Sequence, residues 1–218
     1  MKNMQKKTKA EIAEIILKKL IKQYPKAKIA LKFSTNMELL TATILSAQCT
    51  DDRVNKVTLK LFSKYKTVYD YANADAKTFE NEIRSLGLFR NKAKNIIRTA
   101  QIIYQEHEAK IPGQMQELVK LPGVGRKTAN VFLSNAFGKN EGIAVDTHVK
   151  RLSHRIGLSQ NSDPIQIEQD LMKLFPKKQW GQINNIFIAH GRSVCTAQKP
   201  KCRMCNINRV CLFKEKNV

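Results

Sequence analysis

Leu121-Pro122-Gly123-Val124-Gly125-Arg126-Lys127-Thr128-Ala129 joins two segments of helical apolar spacing through a turn that holds two glycines. Without Cβ atoms, Gly123 and Gly125 can take positive φ and let a phosphate approach the backbone. A helix over 126–137 would add unpaired N–H groups and the positive end of its dipole. A plain helix–helix turn uses glycines in the same way. Arg126 and Lys127, placed directly after the turn in a strongly cationic chain, favour phosphate contact. Two tasks are open to Lys127: a phosphate clamp, or a partly desolvated amine near a helix start that acts as a nucleophile.

On either side of this turn the apolar pattern is helical. Thr8 and Glu11 form a capping box ahead of Ile12, Ile16 and Leu20, and Pro25 closes that segment. Asn36 precedes the apolar stretch 37–47. Val54, Val57 and Leu61 repeat at helical spacing, as do Phe79, Ile83 and Leu86 before Gly87, and Ile96, Ile97, Ala100, Ile103 and Tyr104. Segments 146–156, 164–174 and 180–192 follow, with Gly138 and Gly157 just past two helix ends. No stretch alternates long enough to predict a strand. The fold class expected is all-α, with about ten short helices by count of these patterns.

The chain has 218 residues, with 39 Lys+Arg against 18 Asp+Glu, a net charge of +21. Its 42% hydrophobic content is that of a globular protein, in one large domain or two small ones. An ordinary acidic enzyme and a disordered basic tail are both excluded. Residues 1–28, 29–140 and 141–218 each carry +7, so a polyanion is a better partner than solvent alone. Lysines outnumber arginines 29 to 10, which favours point contacts to phosphate over forked readout of bases. No apolar run reaches the roughly 18–20 residues of a membrane span, and residues 1–14 lack a signal-peptide core. A soluble cytoplasmic protein is expected, monomeric because no heptad or spare apolar face is evident.

Four of the five cysteines fall in the last 24 residues, at Cys195, Cys202, Cys205 and Cys211. Such clustering points to metal ligation rather than disulfides. Tetrahedral zinc and a [4Fe–4S] cluster both accept four thiolates. Lys199, Lys201, Arg203 and Arg209 decorate this segment, so a metal there would staple a cationic surface toward phosphate. Within Ile143-Ala144-Val145-Asp146-Thr147-His148-Val149, Asp146 reads first as an N-cap and His148 as structural.

Taken jointly, Leu45-Ser46-Ala47-Gln48, the hairpin from Leu121 to Ala129, Val145-Asp146-Thr147-His148 and the four-cysteine spacing resemble the endonuclease III family of helix-hairpin-helix DNA glycosylases. The resemblance covers nearly the whole chain. It implies a six-helix barrel domain at 29–140 and a [4Fe–4S] cluster domain made of 1–28 and 141–218, with the active site in the cleft between them. Lys127 and Asp146 match the family's catalytic lysine and aspartate. Gln48 and Leu88 match residues that insert into the duplex, although Leu88 alone reads as a core leucine. Gly123, Gly125, Arg126, Lys201 and Arg203 are expected to contact DNA. The implied activity is that of a bifunctional glycosylase and apurinic/apyrimidinic lyase, acting on double-stranded DNA with oxidised pyrimidines or abasic sites. The alternatives are a monofunctional adenine or mismatch glycosylase, and a non-catalytic metal-stapled DNA-binding protein. Adenine glycosylases usually lack a lysine at position 127 and carry a glutamate where Thr43 stands. Cys49 departs from the small, non-thiol residue common beside Gln48.

Overall fold

A computed structural model describes residues 8–216 and is helical throughout, with no strand among them. Eleven α-helices are formed by the described residues, close to the ten or so expected. They are α1 (Lys9–Gln23), α2 (Asn36–Leu45), α3 (Asp51–Lys64), α4 (Val68–Ala72), α5 (Ala76–Glu82) and α6 (Phe89–Glu106). After them come α7 (Met115–Leu118), α8 (Arg126–Phe137), α9 (Thr147–Ile156), α10 (Pro164–Leu174) and α11 (Trp180–Ser193). Short 3-10 turns lie at Lys177–Gln179, Cys202–Met204 and Asn208–Val210. The backbone divides into two compact units, Ala30–Lys139 and Met1–Ile29 with Asn140–Val218. Residues 1–7 and 217–218 of the expected cluster domain lie outside the described residues.

Local chemistry sets most helix boundaries. The box at Thr8 forms as expected, with the Thr8 N–H donating to the Glu11 carboxylate at 2.7 Å. Thr35, not Asn36, caps α2: its hydroxyl accepts from the Glu38 N–H while Glu38 accepts from the Thr35 N–H. Every residue from Met37 to Leu45 is buried, so α2 is the central strut of its unit and packs against α3, α6 and α8. The spacing of Phe79, Ile83 and Leu86 is that of a helix followed by a turn. α5 ends at Glu82, and the Ile83 carbonyl then accepts from the Leu86 N–H at 2.9 Å, so the glycine helix stop expected at Gly87 is corrected: the helix ends five residues earlier. Unit Ala30–Lys139 holds seven helices rather than the six expected, the extra one being the single turn α7.

In the other unit, α1 buries Ala13, Ile16, Leu17 and Leu20. Around them lie Val149, Leu152, Ile156, Ile167, Leu171, Ile183, Ile186 and Phe187 from α9, α10 and α11. Each fully buried aliphatic side chain stabilises the unit by roughly 1.5–3 kcal/mol. Cys195, Cys205 and Cys211 pack on this core, so the cysteine segment is seated on helices rather than tethered loosely. Gly157 ends α9 at φ 91°, and a Cβ there would lie 2.5 Å from Leu212 Cδ1. Only glycine both turns the chain and admits the segment that follows Cys211.

Candidate nucleic-acid interface and cysteine site

Leu121 and Val124 anchor the hairpin by burial, and the Thr99 hydroxyl donates to the Pro122 carbonyl at 2.9 Å. Gly123 takes φ 78°, and a Cβ there would approach Asn95 Nδ2 at 3.0 Å. The expectation for Gly125 is corrected: its φ is −82°, which any residue adopts. Its contribution is to be an N-cap without a side chain. No side-chain group caps α8, and a Cβ on Gly125 would meet nothing within 4 Å. The first-turn N–H groups are therefore approachable by an anion. Arg126 and Lys127 are the first two residues of α8 and both are exposed. The desolvation considered for Lys127 is not imposed by its surroundings, because the side chain stands in solvent.

Gln48 and Leu88 share an unusual backbone. Both take the left-handed conformation, at φ 55° and 56°, Gln48 in the turn ahead of α3 and Leu88 directly before α6. For a residue with a side chain this costs about 1–2 kcal/mol. Leu88 is 55% exposed, which overturns the reading of it as a core leucine. Gln48 is exposed as well. Nearby, buried Lys92 donates to the Cys49 Sγ at 3.3 Å, giving the unexpected thiol a cationic partner.

Asp146 caps α9, its Oδ1 accepting from the Val149 N–H at 2.8 Å. The N-cap reading is thus realised, and Oδ2 has no hydrogen-bond partner among the described residues. Two turns of α9 then connect this cap to the cysteines. The Arg151 guanidinium donates to His148 Nδ1 at 3.1 Å, to the Gly191 carbonyl at 3.1 Å and to the Cys195 carbonyl at 3.0 Å. Arginine has no acceptor, so where this bond forms His148 Nδ1 is the nitrogen that accepts. A Cβ at Gly191 would lie 2.6 Å from that nitrogen, so α11 can pass α9 there only as glycine.

Arg155, one turn further along α9, grips the cysteine segment. It donates to Cys195 Sγ at 3.4 Å, to the Thr196 carbonyl at 2.7 Å and to the Ala197 carbonyl at 2.6 Å. Its guanidinium lies over the Phe213 ring at 4.6 Å. Sequence reasoning missed both arginines, although Arg151 and Arg155, four apart on one helix face, were a readable signal.

All four cysteines line one pocket, together with Arg155, His190 and Ile207 among others. Burial pushes the Cys205 and Cys211 thiols up, and proximity to other cysteines of the set raises each further. Among the described residues no three His, Cys, Asp or Glu side chains gather closely enough to hold a single metal ion. The donor set nevertheless fits a cluster, since four thiols ring a cavity instead of meeting at one point. Tyr24 and His190, also missed by sequence reasoning, stand behind Cys205. The Tyr24 hydroxyl is 3.0 Å from His190 Nδ1, and His190 Nε2 is 3.6 Å from Cys205 Sγ. Burial depresses the His190 pKa to about 4, leaving a neutral imidazole. Lys199, Lys201, Arg203 and Arg209 are exposed around this segment.

Residues 41–177 match the HhH-GPD superfamily base excision DNA repair protein model, and the chain belongs to that superfamily. It is similar to endonuclease III of Synechocystis sp., with 51% identity over 94% of this chain and 93% of that protein. It is also similar to endonuclease III of Bacillus subtilis, at 44% identity over 91% of this chain and 90% of that protein. A solved structure of a trapped endonuclease III–DNA covalent intermediate superposes with a TM-score of 0.89 at 43% identity, covering 94% of this chain and 96% of that one. The all-α helix-hairpin-helix glycosylase fold and the endonuclease III resemblance are both borne out.

Proposed function

We propose that the chain is a bifunctional DNA glycosylase and apurinic/apyrimidinic lyase of base excision repair, acting on oxidised pyrimidines in duplex DNA. The observation that carries this reading is the placement of Lys127. It stands exposed in the first turn of α8, so one helix start offers both an anion cradle and an amine. A trapped covalent DNA intermediate of a 43% identical relative supports a covalent route.

In this mechanism the Lys127 amine attacks the sugar's anomeric carbon, the damaged base leaves with the bonding electrons, and ring opening gives a Schiff base. The iminium acidifies the neighbouring carbon, whose proton is lost as the 3′ phosphate departs by β-elimination. Asp146 takes the proton of the attacking lysine and offsets the positive charge on the sugar through Oδ2. Its Oδ1 stays on the helix cap, so the carboxylate is oriented before substrate arrives. The hairpin N–H groups at Gly123 and Gly125 and the Arg126 side chain hold phosphate, as do Lys201 and Arg203 from the cysteine segment.

Extruding the nucleotide costs a few kcal/mol. Gln48 and Leu88 fill the gap, and their strained, exposed backbones are what a preformed wedge requires. Cys195, Cys202, Cys205 and Cys211 hold a [4Fe–4S] cluster. When bound, that cluster supplies a structural staple, fixing the segment that carries Lys201 and Arg203. Four thiols ringing a cavity suit four irons better than one zinc, which needs all four on a single ion. The working form is a cytoplasmic monomer on DNA. In keeping with this, no helix of the described residues is long and apolar enough to cross a membrane.

An adenine glycosylase is disfavoured at Thr43, which is buried and donates its hydroxyl to the Leu40 carbonyl at 2.8 Å, with no carboxylate at that position. Borohydride added to the protein with duplex DNA containing thymine glycol or an abasic site should yield a covalent adduct. In Lys127→Ala the lyase rate should fall by about 10³-fold or more. No adduct in the wild type, or an undiminished one in the variant, contradicts the lysine mechanism. A non-catalytic binding protein would bind the same duplex and give no adduct.

A further inference from the structure

We infer that His190 is a positioning residue for the cluster, donating its Nε2–H to the Cys205 thiolate while Nδ1 is held by Tyr24. The inference rests on the cluster reading above. A thiolate bound to iron can only accept a hydrogen bond, so the imidazole nitrogen 3.6 Å from Cys205 Sγ must carry the proton. Nδ1 is then bare and accepts from the Tyr24 hydroxyl at 3.0 Å. The Tyr24 oxygen also lies 2.8 Å from Ser193 Oγ, whose own hydroxyl donates to the Ala189 carbonyl at 2.8 Å. With the thiolate accepting at one end, the protons run from Tyr24 to His190 and from His190 to Cys205.

Placement makes the line a built feature. His190 is 1% exposed on α11, and the neighbouring Cys195 N–H donates to its carbonyl at 2.8 Å. The Tyr24 and His190 rings also meet edge to face, with centroids 5.8 Å apart. Tyr24 is the residue that ends α1, so the chain ties the first helix of the unit to the third cysteine. Metal-bound donors are commonly oriented by such second partners, and hydrogen bonds to cluster sulfurs set both retention and potential. Arg155 does for Cys195 what His190 does for Cys205, with a charged donor in place of a neutral one.

The test uses purified protein loaded with its cluster. Iron content comes first: about four irons per chain upholds the cluster reading, whereas one zinc overturns that reading independently of His190. In the loaded protein, His190→Phe should shift the cluster's reduction potential to a more negative value and speed chelator-driven loss of visible absorbance roughly 10- to 100-fold. Tyr24→Phe should shift both in the same direction by less, and His190→Gln, which keeps a donor, should fall between wild type and His190→Phe. An unchanged potential and retention in a loaded His190→Phe contradicts the inference. A second readout does not depend on any variant staying folded. In ¹⁵N-histidine-labelled wild type, the signal of His190 should show a proton on Nε2, and a proton on Nδ1 overturns the assignment.

Discussion

The hairpin and the cysteine segment draw on one cationic composition and use it in opposite ways. Around the hairpin, Arg126 and Lys127 reach outward from an uncapped helix start, and Gln48 and Leu88 are held outward by left-handed backbone. Beside the cysteines, Arg151 and Arg155 turn inward and are occupied by the carbonyls of Gly191, Cys195, Thr196 and Ala197. In the first region Lys127 stands exposed, whereas the second uses its guanidinium groups to hold itself together. Charge count alone therefore says little about what a cation does. A guanidinium on a carbonyl is structural, and an ammonium in solvent at a helix start is available for chemistry.

Asp146 belongs to both sides of this contrast, capping a helix and, in the proposed mechanism, serving the reaction, and it gives the largest expected effect. Asn caps as well as Asp, so Asp146→Asn should keep thermal stability within about 0.5 kcal/mol of wild type. Base-excision rate should nevertheless fall by about 10²–10⁴-fold. Asp146→Ala should lose the same activity and, in addition, about 1 kcal/mol of stability. Equal activity in wild type and Asp146→Asn would make Asp146 a cap and nothing more.

Next in size is Arg155→Met, which keeps the stem and leaves the Thr196 and Ala197 carbonyls unpaired. Chemical denaturation should show a loss of about 1–3 kcal/mol, with lower iron content on purification. Full iron content and unchanged stability would remove Arg155 from the clamp. The corresponding change on the presenting side should have the reverse sign. Asn tolerates the left-handed conformation, so Leu88→Asn should stabilise the protein by about 0.5–1 kcal/mol while weakening binding to lesion duplex. A variant that is destabilised, or that binds as tightly, would show that Leu88 is not a strained wedge. Smallest are Lys201→Gln and Arg203→Gln, each lowering the slope of log affinity against log salt by about one, with lesion preference unchanged. A slope that does not move assigns those cations to solvent.

Much of this contrast is legible in the sequence. Capping at Thr8, the glycines ending α8 and α9, and helical apolar spacing are local signals, and they gave the all-α class. The hairpin was legible because phosphate contact demands glycine and a helix start in sequence. The differences arose where tertiary packing decides. Gly125 does not use its conformational freedom, because the chain enters α8 in extended backbone. Leu88 is hydrophobic by composition yet exposed, since its φ of 56° aims it away from the core that Leu86 joins. The guanidinium and imidazole partners of the cysteines were invisible for a third reason. Tyr24 and His190 are 166 positions apart, and no local pattern announces a hydrogen bond of that span.

The central claim is that the exposed lysine after the hairpin is the residue that reacts. Proteolytic mapping of the borohydride-reduced DNA adduct tests it most directly. A sugar remnant on the peptide containing Lys127, with fragmentation placing the added mass on that side chain, is the expected result. A remnant on any other lysine would contradict it.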